Sequence, residues 1–316
     1  MTDADELEQI EKAVNALRAG EVIGFPTETV YGLGADATNS EAIAKIYEIK
    51  GRPTDHPLIV HIKSKDDLVF WVREVPEAAM LLAEAFWPGA LTIILQRNGK
   101  VADEVVGAMT TIALRVPDHE LTLKMLESFD GGVAGPSANK FGGVSPTSAD
   151  HVSGDLGDDV SFVLDGGKCT VGVESTIIDL VNEPTILRHG GVSKEAIESI
   201  LSTQVIDGTE GESRAPGMMR SHYAPRAKVI LTTEDEILNP DFVFEPNSGL
   251  VGPVSVEGVT SWTMPNNASG YARSIYAVLR EADSRGLETI YIVPPTEGEI
   301  LEAVLDRLAK ASAPRS

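Results

Sequence analysis

Cysteine is almost absent from this sequence: Cys169 is the only one in 316 residues. An intramolecular disulfide and any multi-thiolate zinc site are thereby excluded, and with them the oxidised secreted scaffold and the zinc finger. A lone thiol is more often a small core residue than a nucleophile. Long hydrophobic runs are missing too. No stretch approaches the roughly 20 uninterrupted apolar residues of a membrane helix. The acidic start MTDADELEQIEK also lacks the basic-then-apolar order of a signal peptide. A cytoplasmic location is therefore expected, with no membrane partner. Positive charge is in deficit, with 26 Lys and Arg against 48 Asp and Glu, for a net charge of -22. That balance opposes long-range attraction to nucleic acid, so no strong direct nucleic-acid binding is expected. It also makes any local gathering of Lys, Arg and His informative.

What is present suffices for a substantial core. With 42% hydrophobic residues, a chain of this length is expected to form two domains or one large one. Leu7, Ile10, Val14 and Leu17 share one helical face and Gly20 follows as a cap, so residues 5–19 read as an amphipathic helix. Short apolar runs then alternate with helical stretches: VIGF (22–25), LIVHI (58–62), LTIIL (91–95), IALRV (112–116), FVL (162–164) and STIIDL (175–180). This alternation predicts an α/β fold. After a helix over 193–201 comes GTEGESRAPGMMRSHYAP (208–225), rich in Gly, Pro, Ser and charge and without either period, which predicts a linker. Beyond it KVIL, a turn-rich stretch with six prolines from Pro240 to Pro295, ARSIYAVLREA, TIYIV and ILEAVLDRLAK predict a small α/β domain of its own. The expected division is 1–207, linker 208–225 and 226–316.

Several segments carry groups suited to anions. In FPTETVYGLGADA (25–37) the backbone N–H groups of a glycine-rich turn, with Thr27, Thr29 and Tyr31, can meet an anionic ligand. The plainer account, preferred from this segment alone, is a strand-to-helix turn that needs glycine for its dihedrals. KGRPTDHPLIVHI (50–62) gathers Lys50, Arg52, His56 and His61 around two prolines. A cation completing a helix dipole explains Lys50. Arg52, between Gly51 and Pro53, instead places a planar guanidinium in a stiff loop, where it can pair bidentately with phosphate or carboxylate. The histidines lack the i, i+4 spacing of a helical metal pair, so no structural zinc is expected. Arg115 stands inside an apolar run and either meets a buried carboxylate or projects to a ligand anion. GPSANKFGGVSPTSADH (135–151) offers Ser137, Asn139, Ser145 and Thr147, groups that form turns and also suit nucleotide phosphates and ribose. DGGKCTVGVESTIIDL and ILRHGG set Glu174, Ser175 and Arg188 beside strands. No Ser/His/Asp elbow, Walker loop or metal-carboxylate pattern emerges. The expected site therefore orients ligands and neutralises charge, as adenylyl transfer requires.

Seven of these segments, in order, resemble the YrdC family, whose members synthesise threonylcarbamoyl-AMP, in its long form with an extra C-terminal domain. They are PTETVYGLG (26–34), K-x-R with HPL (50–58), LRVP (114–117), PSAN (136–139), VESTIID (173–179), LR-x-G (187–190) and HYAP (222–225). The resemblance covers residues 5–225 by motif. In PGMMRSHYAP, Met219 stands where the family often has a basic residue, with Arg220 next. The resemblance implies a twisted, open α/β domain with a concave cavity, a linker folding over it, and a small Rossmann-like α/β domain. It implies ATP, L-threonine and bicarbonate as substrates, Mg2+ accompanying ATP, and a product passed to a tRNA threonylcarbamoyl transferase complex. Thr29, His61, Arg115, Ser137 and Ser175 match the family's threonine and carbamate contacts. Lys50, Arg52, His56, Thr111, Asn139, Thr147, Arg188 and Tyr223 match its nucleotide contacts, with Lys50, Arg52 and Arg115 carrying the chemistry. Two rivals differ in class. A carbamoyltransferase of the hydrogenase-maturation type would be much longer and cysteine-rich, and a non-catalytic RNA-binding module sits poorly with the acidity.

Overall fold

The structure is a computed structural model and describes residues 3–107, 109–209 and 223–314. Among them ten strands form one sheet: β1 (Ile23–Phe25), β2 (Gly32–Asp36), β3 (Ile59–His61), β4 (Leu91–Gln96), β5 (Thr111–Arg115), β6 (Val133–Gly135), β7 (Phe162–Val163), β8 (Thr176–Asp179), β9 (Thr185–Arg188) and β10 (Ile206–Asp207). Their spatial order is β10-β9-β8-β4-β5-β3-β6-β2-β1-β7, with parallel and antiparallel neighbours mixed. A second sheet holds β11 (Lys228–Leu231), β12 (Ser248–Gly252), β13 (Thr260–Thr263) and β14 (Thr289–Ile292) in the order β11-β14-β12-β13, all parallel. The α/β expectation holds in both parts. Parallel strands need crossovers, and the helix Ala268–Ser284 supplies the one that carries the chain from β13 past β12 to β14. The stretch read as turn-rich contains β12 and β13, whose short runs its prolines obscured.

The first helix, Asp3–Arg18, buries Ile10, Val14 and Leu17 on one face, as its period requires. FPTETVYGLGADA corrects the turn reading, because its second half is β2, antiparallel to β1. Its glycines answer to packing and not to dihedrals. A Cβ on Gly32 would stand 2.4 Å from the Phe25 ring, and one on Gly34 would stand 2.6 Å from Val133. The helix Ser40–Lys50 is delimited by its own residues. Asn39 accepts from the N–H groups of Glu41 and Ala42, and Gly51 at φ 64° turns the chain out, so that Lys50 and Arg52 leave at a fixed point.

The two sheets share a core. One apolar cluster joins Val30, Val144 and Val173 of the first part to Tyr276, Leu279 and Val304 of the second, with Tyr223 among them. Most of the expected linker, residues 210–222 with Met219 and Arg220, lies outside the described residues.

Candidate active site

A crevice opens where strand ends converge on the larger sheet. β3 supplies Ile59 and His61, β5 supplies Arg115, and the chain leaving β6 supplies Pro136 and Ser137. Glu174 and Ser175 precede β8, Arg188 ends β9, Arg52 follows the helix cap, and Tyr223 closes one side. His61 and Arg115 stand opposite each other in the parallel β3/β5 register. The crevice holds ≈ 520 Å³ of space with its mouth included.

Charge in the crevice is organised by pairing. Arg115 donates from Nη2 to Glu28 Oε1 at 2.5 Å, from Nη1 to Thr29 Oγ1 at 2.9 Å and from Nε to the Gly89 carbonyl at 3.1 Å. The sequence left two outcomes for this arginine, and both occur: it meets a buried carboxylate and it lines the crevice. Glu28 also accepts from the Asp118 N–H at 3.0 Å. Burial, with Arg115 adding to it, pushes the His61 imidazole down to about 3, so the ring is neutral at physiological pH. His61 lies edge-on to Phe25, and its Nδ1 is 3.3 Å from the Val133 carbonyl. Arg188 donates from Nε to the Ser175 carbonyl and from Nη2 to Ser175 Oγ, which also bonds Thr92 Oγ1 at 2.8 Å. Burial lowers Arg52 to about 10, leaving it cationic. Its Nη2 donates to the Pro57 carbonyl at 3.2 Å, and its buried Nε has no partner among the described residues. An orphaned buried guanidinium donor is costly unless an anion meets it.

The family model described as telomere recombination, of the Sua5, YciO and YrdC proteins, matches residues 15–190. The model for the C-terminal domain of threonylcarbamoyl-AMP synthase matches residues 192–313. The chain belongs to the threonylcarbamoyl-AMP synthase family. The enzyme of that name from Pyrococcus abyssi is 38% identical, with 97% of this chain and 95% of that one covered. The Bacillus subtilis enzyme is 36% identical, with 97% and 94% covered. The solved P. abyssi Sua5 complexed with L-threonine superposes with a TM-score of 0.90 at 37% identity, over 97% of this chain and 94% of that one. Likeness to full-length HypF, with a TM-score of 0.51 at 16% identity over 29% of that chain, is one of fold alone.

Of the residues that the threonylcarbamoyl-AMP synthase resemblance marks, the crevice brings together Thr29, Arg52, His61, Arg115, Ser137, Ser175, Arg188 and Tyr223. Five others stand outside its lining. Lys50 is buried with Nζ donating to the Ser137 and Asn139 carbonyls at 2.6 and 2.5 Å, so it clamps the 136–139 loop from behind. Burial, with Arg52 adding to it, drives its pKa well down. Asn139 is buried and donates to the Lys140 and Gly143 carbonyls, while its Oδ1 has no partner among the described residues. His56 packs near Phe141. Thr111 begins β5 opposite Gln96. Thr147 contributes to a separate cleft of ≈ 760 Å³, mouth included, with His151, Lys168 and Arg273. Sequence reasoning missed Glu28, and it missed Tyr276 and Arg307, which reach the site from the C-terminal part. Glu28 had a signal, a carboxylate inside the FPTETVYGLG motif. Arg307 had none, since an arginine in ILEAVLDRLAK reads as a solvated helix face.

Proposed function

We propose that this crevice joins L-threonine, bicarbonate and ATP into threonylcarbamoyl-AMP, with release of pyrophosphate and water. The observation that carries the reading is the convergence of Arg52, Arg115 and Arg188 on one crevice, three guanidinium groups suited to a polyanionic ligand. Threonine as a substrate is supported by the relative solved with L-threonine. Thr29, His61, Arg115, Ser137 and Ser175 take the threonine and carbamate end. A neutral His61 accepts or donates a hydrogen bond there and adds no charge. Arg52, Arg188 and Tyr223 take the nucleotide. The threonine nitrogen attacks bicarbonate and water is lost, which gives the N-carboxylate (carbamate); its oxygen then attacks the α-phosphorus as pyrophosphate leaves. Guanidinium groups held in place stabilise the charge spread over the phosphoryl oxygens without reorganising. Lys50 and Asn139 act at one remove by fixing the loop that carries Ser137, and His56, Thr111 and Thr147 extend the nucleotide side.

Magnesium would ride on the triphosphate. The described residues hold no cluster of three His, Cys, Asp or Glu side chains, and Glu174 in the crevice and Glu28 behind Arg115 are each engaged by an arginine. Residues 1–207 and 226–316 are proposed as the two domains, supported by their separate sheets, with 208–225 as the connection. The product is proposed to pass to a tRNA threonylcarbamoyl transferase complex, in the cytoplasm where ATP and tRNA are at hand. The test is mass spectrometry of the product formed from ATP, threonine and labelled bicarbonate. Label in a threonylcarbamoyl adenylate, with pyrophosphate release dependent on both co-substrates, is expected. Pyrophosphate release that ignores threonine, or none at all, would refute the reading.

A further inference from the structure

Arg307 lies in the helix Leu301–Ser312 and is only 1% exposed, the largest side chain so completely buried. Its neighbours on that face are Ala303, Val304, Leu308 and Ala311. Packing alone would be served as well by an apolar residue, since a buried ion pair is often no more stable than a hydrophobic replacement. Its contacts run toward the crevice. Nε donates to Glu174 Oε2 at 2.7 Å, Nη2 donates to the His189 carbonyl at 2.9 Å, and Nη1 pairs with Asp306. The guanidinium lies 4.9 Å over the Tyr223 ring, which stacks on Tyr276 at 5.9 Å. The Tyr276 hydroxyl, on the helix Ala268–Ser284, donates to the same Glu174 carboxylate at 3.0 Å, and Ser145 Oγ donates to it at 2.6 Å.

Glu174 is thus gripped from behind by two side chains of the C-terminal part. Beside it stands Ser175, and on Ser175 rests Arg188. Burial would raise the Glu174 carboxyl, but Arg307 and then Arg188 outweigh it and hold the group at about 2, so it is an anion in the interior. Without Arg307, the other cation acting on that anion is Arg188. Arg188 would be drawn off Ser175 toward it, away from the ligand side, and Tyr223 would lose the cation under its ring.

Building on the proposed function, we infer that Arg307 and Tyr276 are positioning residues of the active site: by neutralising Glu174 from the C-terminal domain they keep Arg188 on Ser175 and seat Tyr223. The second domain then contributes to turnover through these two residues, without touching substrate.

The test uses the full chain and reads threonine- and bicarbonate-dependent pyrophosphate release beside urea unfolding. Arg307→Met is expected to lower kcat/KM for ATP about 100-fold in protein that remains folded, the scale of a buried charge stripped of its partner. The threonine KM should change less, because Arg188 and Tyr223 stand on the nucleotide side. Adding Glu174→Gln to Arg307→Met should restore roughly 10-fold, since the stranded anion is removed with its partner. Tyr276→Phe keeps the ring stack, loses one donor to Glu174 and should cost about 10-fold. A merely structural role would lower unfolding midpoints and leave the kinetics of folded protein unchanged, and that result overturns the inference. If Arg307→Met does not fold, Tyr276→Phe and Arg307→Lys decide by the same criterion. A wild-type chain that releases no pyrophosphate overturns the functional reading, and this inference with it. Wild-type release with unaltered folded variants overturns this inference alone.

Discussion

Replacing Arg115 by methionine strands a carboxylate. Arg115 and Glu28 are 3% and 4% exposed and meet at 2.5 Å, so the interaction is little screened by solvent. Removing one partner of a buried pair costs about 3–5 kcal/mol, because the other charge stays desolvated and unpaired. Glu28 keeps only its bond from the Asp118 N–H, while Thr29 Oγ1 and the Gly89 carbonyl each lose a donor. Arg115→Met should therefore lower unfolding free energy by several kcal/mol and abolish turnover even in the fraction that folds. Glu28→Gln keeps the shape and the Asp118 contact and should cost about 1–3 kcal/mol, the scale of a weakened charge-assisted bond. In the double variant both charges are gone, and part of the loss should return. Urea unfolding followed by tryptophan fluorescence, with turnover normalised to folded protein, checks each arm. Additive single and double losses would show that the two groups do not interact. Wild-type turnover in folded Arg115→Met would confine this arginine to the fold and refute its role at the ligand.

Lys50→Met should leave the 136–139 carbonyls without their donor and loosen the loop that carries Ser137; hydrogen exchange there should accelerate, whereas a direct nucleotide contact would instead leave the loop protected and weaken ATP binding alone. Gly32→Ala forces a methyl group into the Phe25 ring at 2.4 Å and should cost about 1–3 kcal/mol by overpacking, with Phe25→Leu in the same chain giving relief. An unaltered urea midpoint for Gly32→Ala would refute the packing role given to that glycine. Stability should fall as pH drops. His61 at about 3 against an ordinary 6.5 means that only the unfolded chain takes this proton between those values, a slope of about 1.4 kcal/mol per pH unit. Glu174 at about 2 against 4.5 adds a second proton below pH 4.5, in the same direction, so its contribution is present above that pH and lost toward pH 2. A His61→Gln chain should lack the first slope between pH 6.5 and 4.5, and equal slopes in the two chains would refute a neutral buried histidine.

The sequence by itself determined the elements and most of the site's cast. Short apolar runs and helical faces such as Ile10, Val14 and Leu17 are local signals, so the α/β alternation was legible in them. So were Arg52, Arg115 and Arg188, because an arginine in a stiff loop or an apolar strand violates its surroundings and demands a reason. Only the tertiary structure decided what each group does. Lys50 and Arg52 are two residues apart, yet one holds a loop from behind and the other faces the crevice, a difference set by the Gly51 cap and by where β6 hands over to Ser137. Gly32 and Gly34 read as turn glycines and proved to be a flat surface for Phe25, since close approach depends on which ring lies across the strand. Glu174 and Arg307 lie 133 residues apart, and nothing local in a charged amphipathic helix tells a solvated arginine from one buried against a distant carboxylate. Local pattern fixes periodicity and chemistry, whereas burial and partnership are properties of the assembled core.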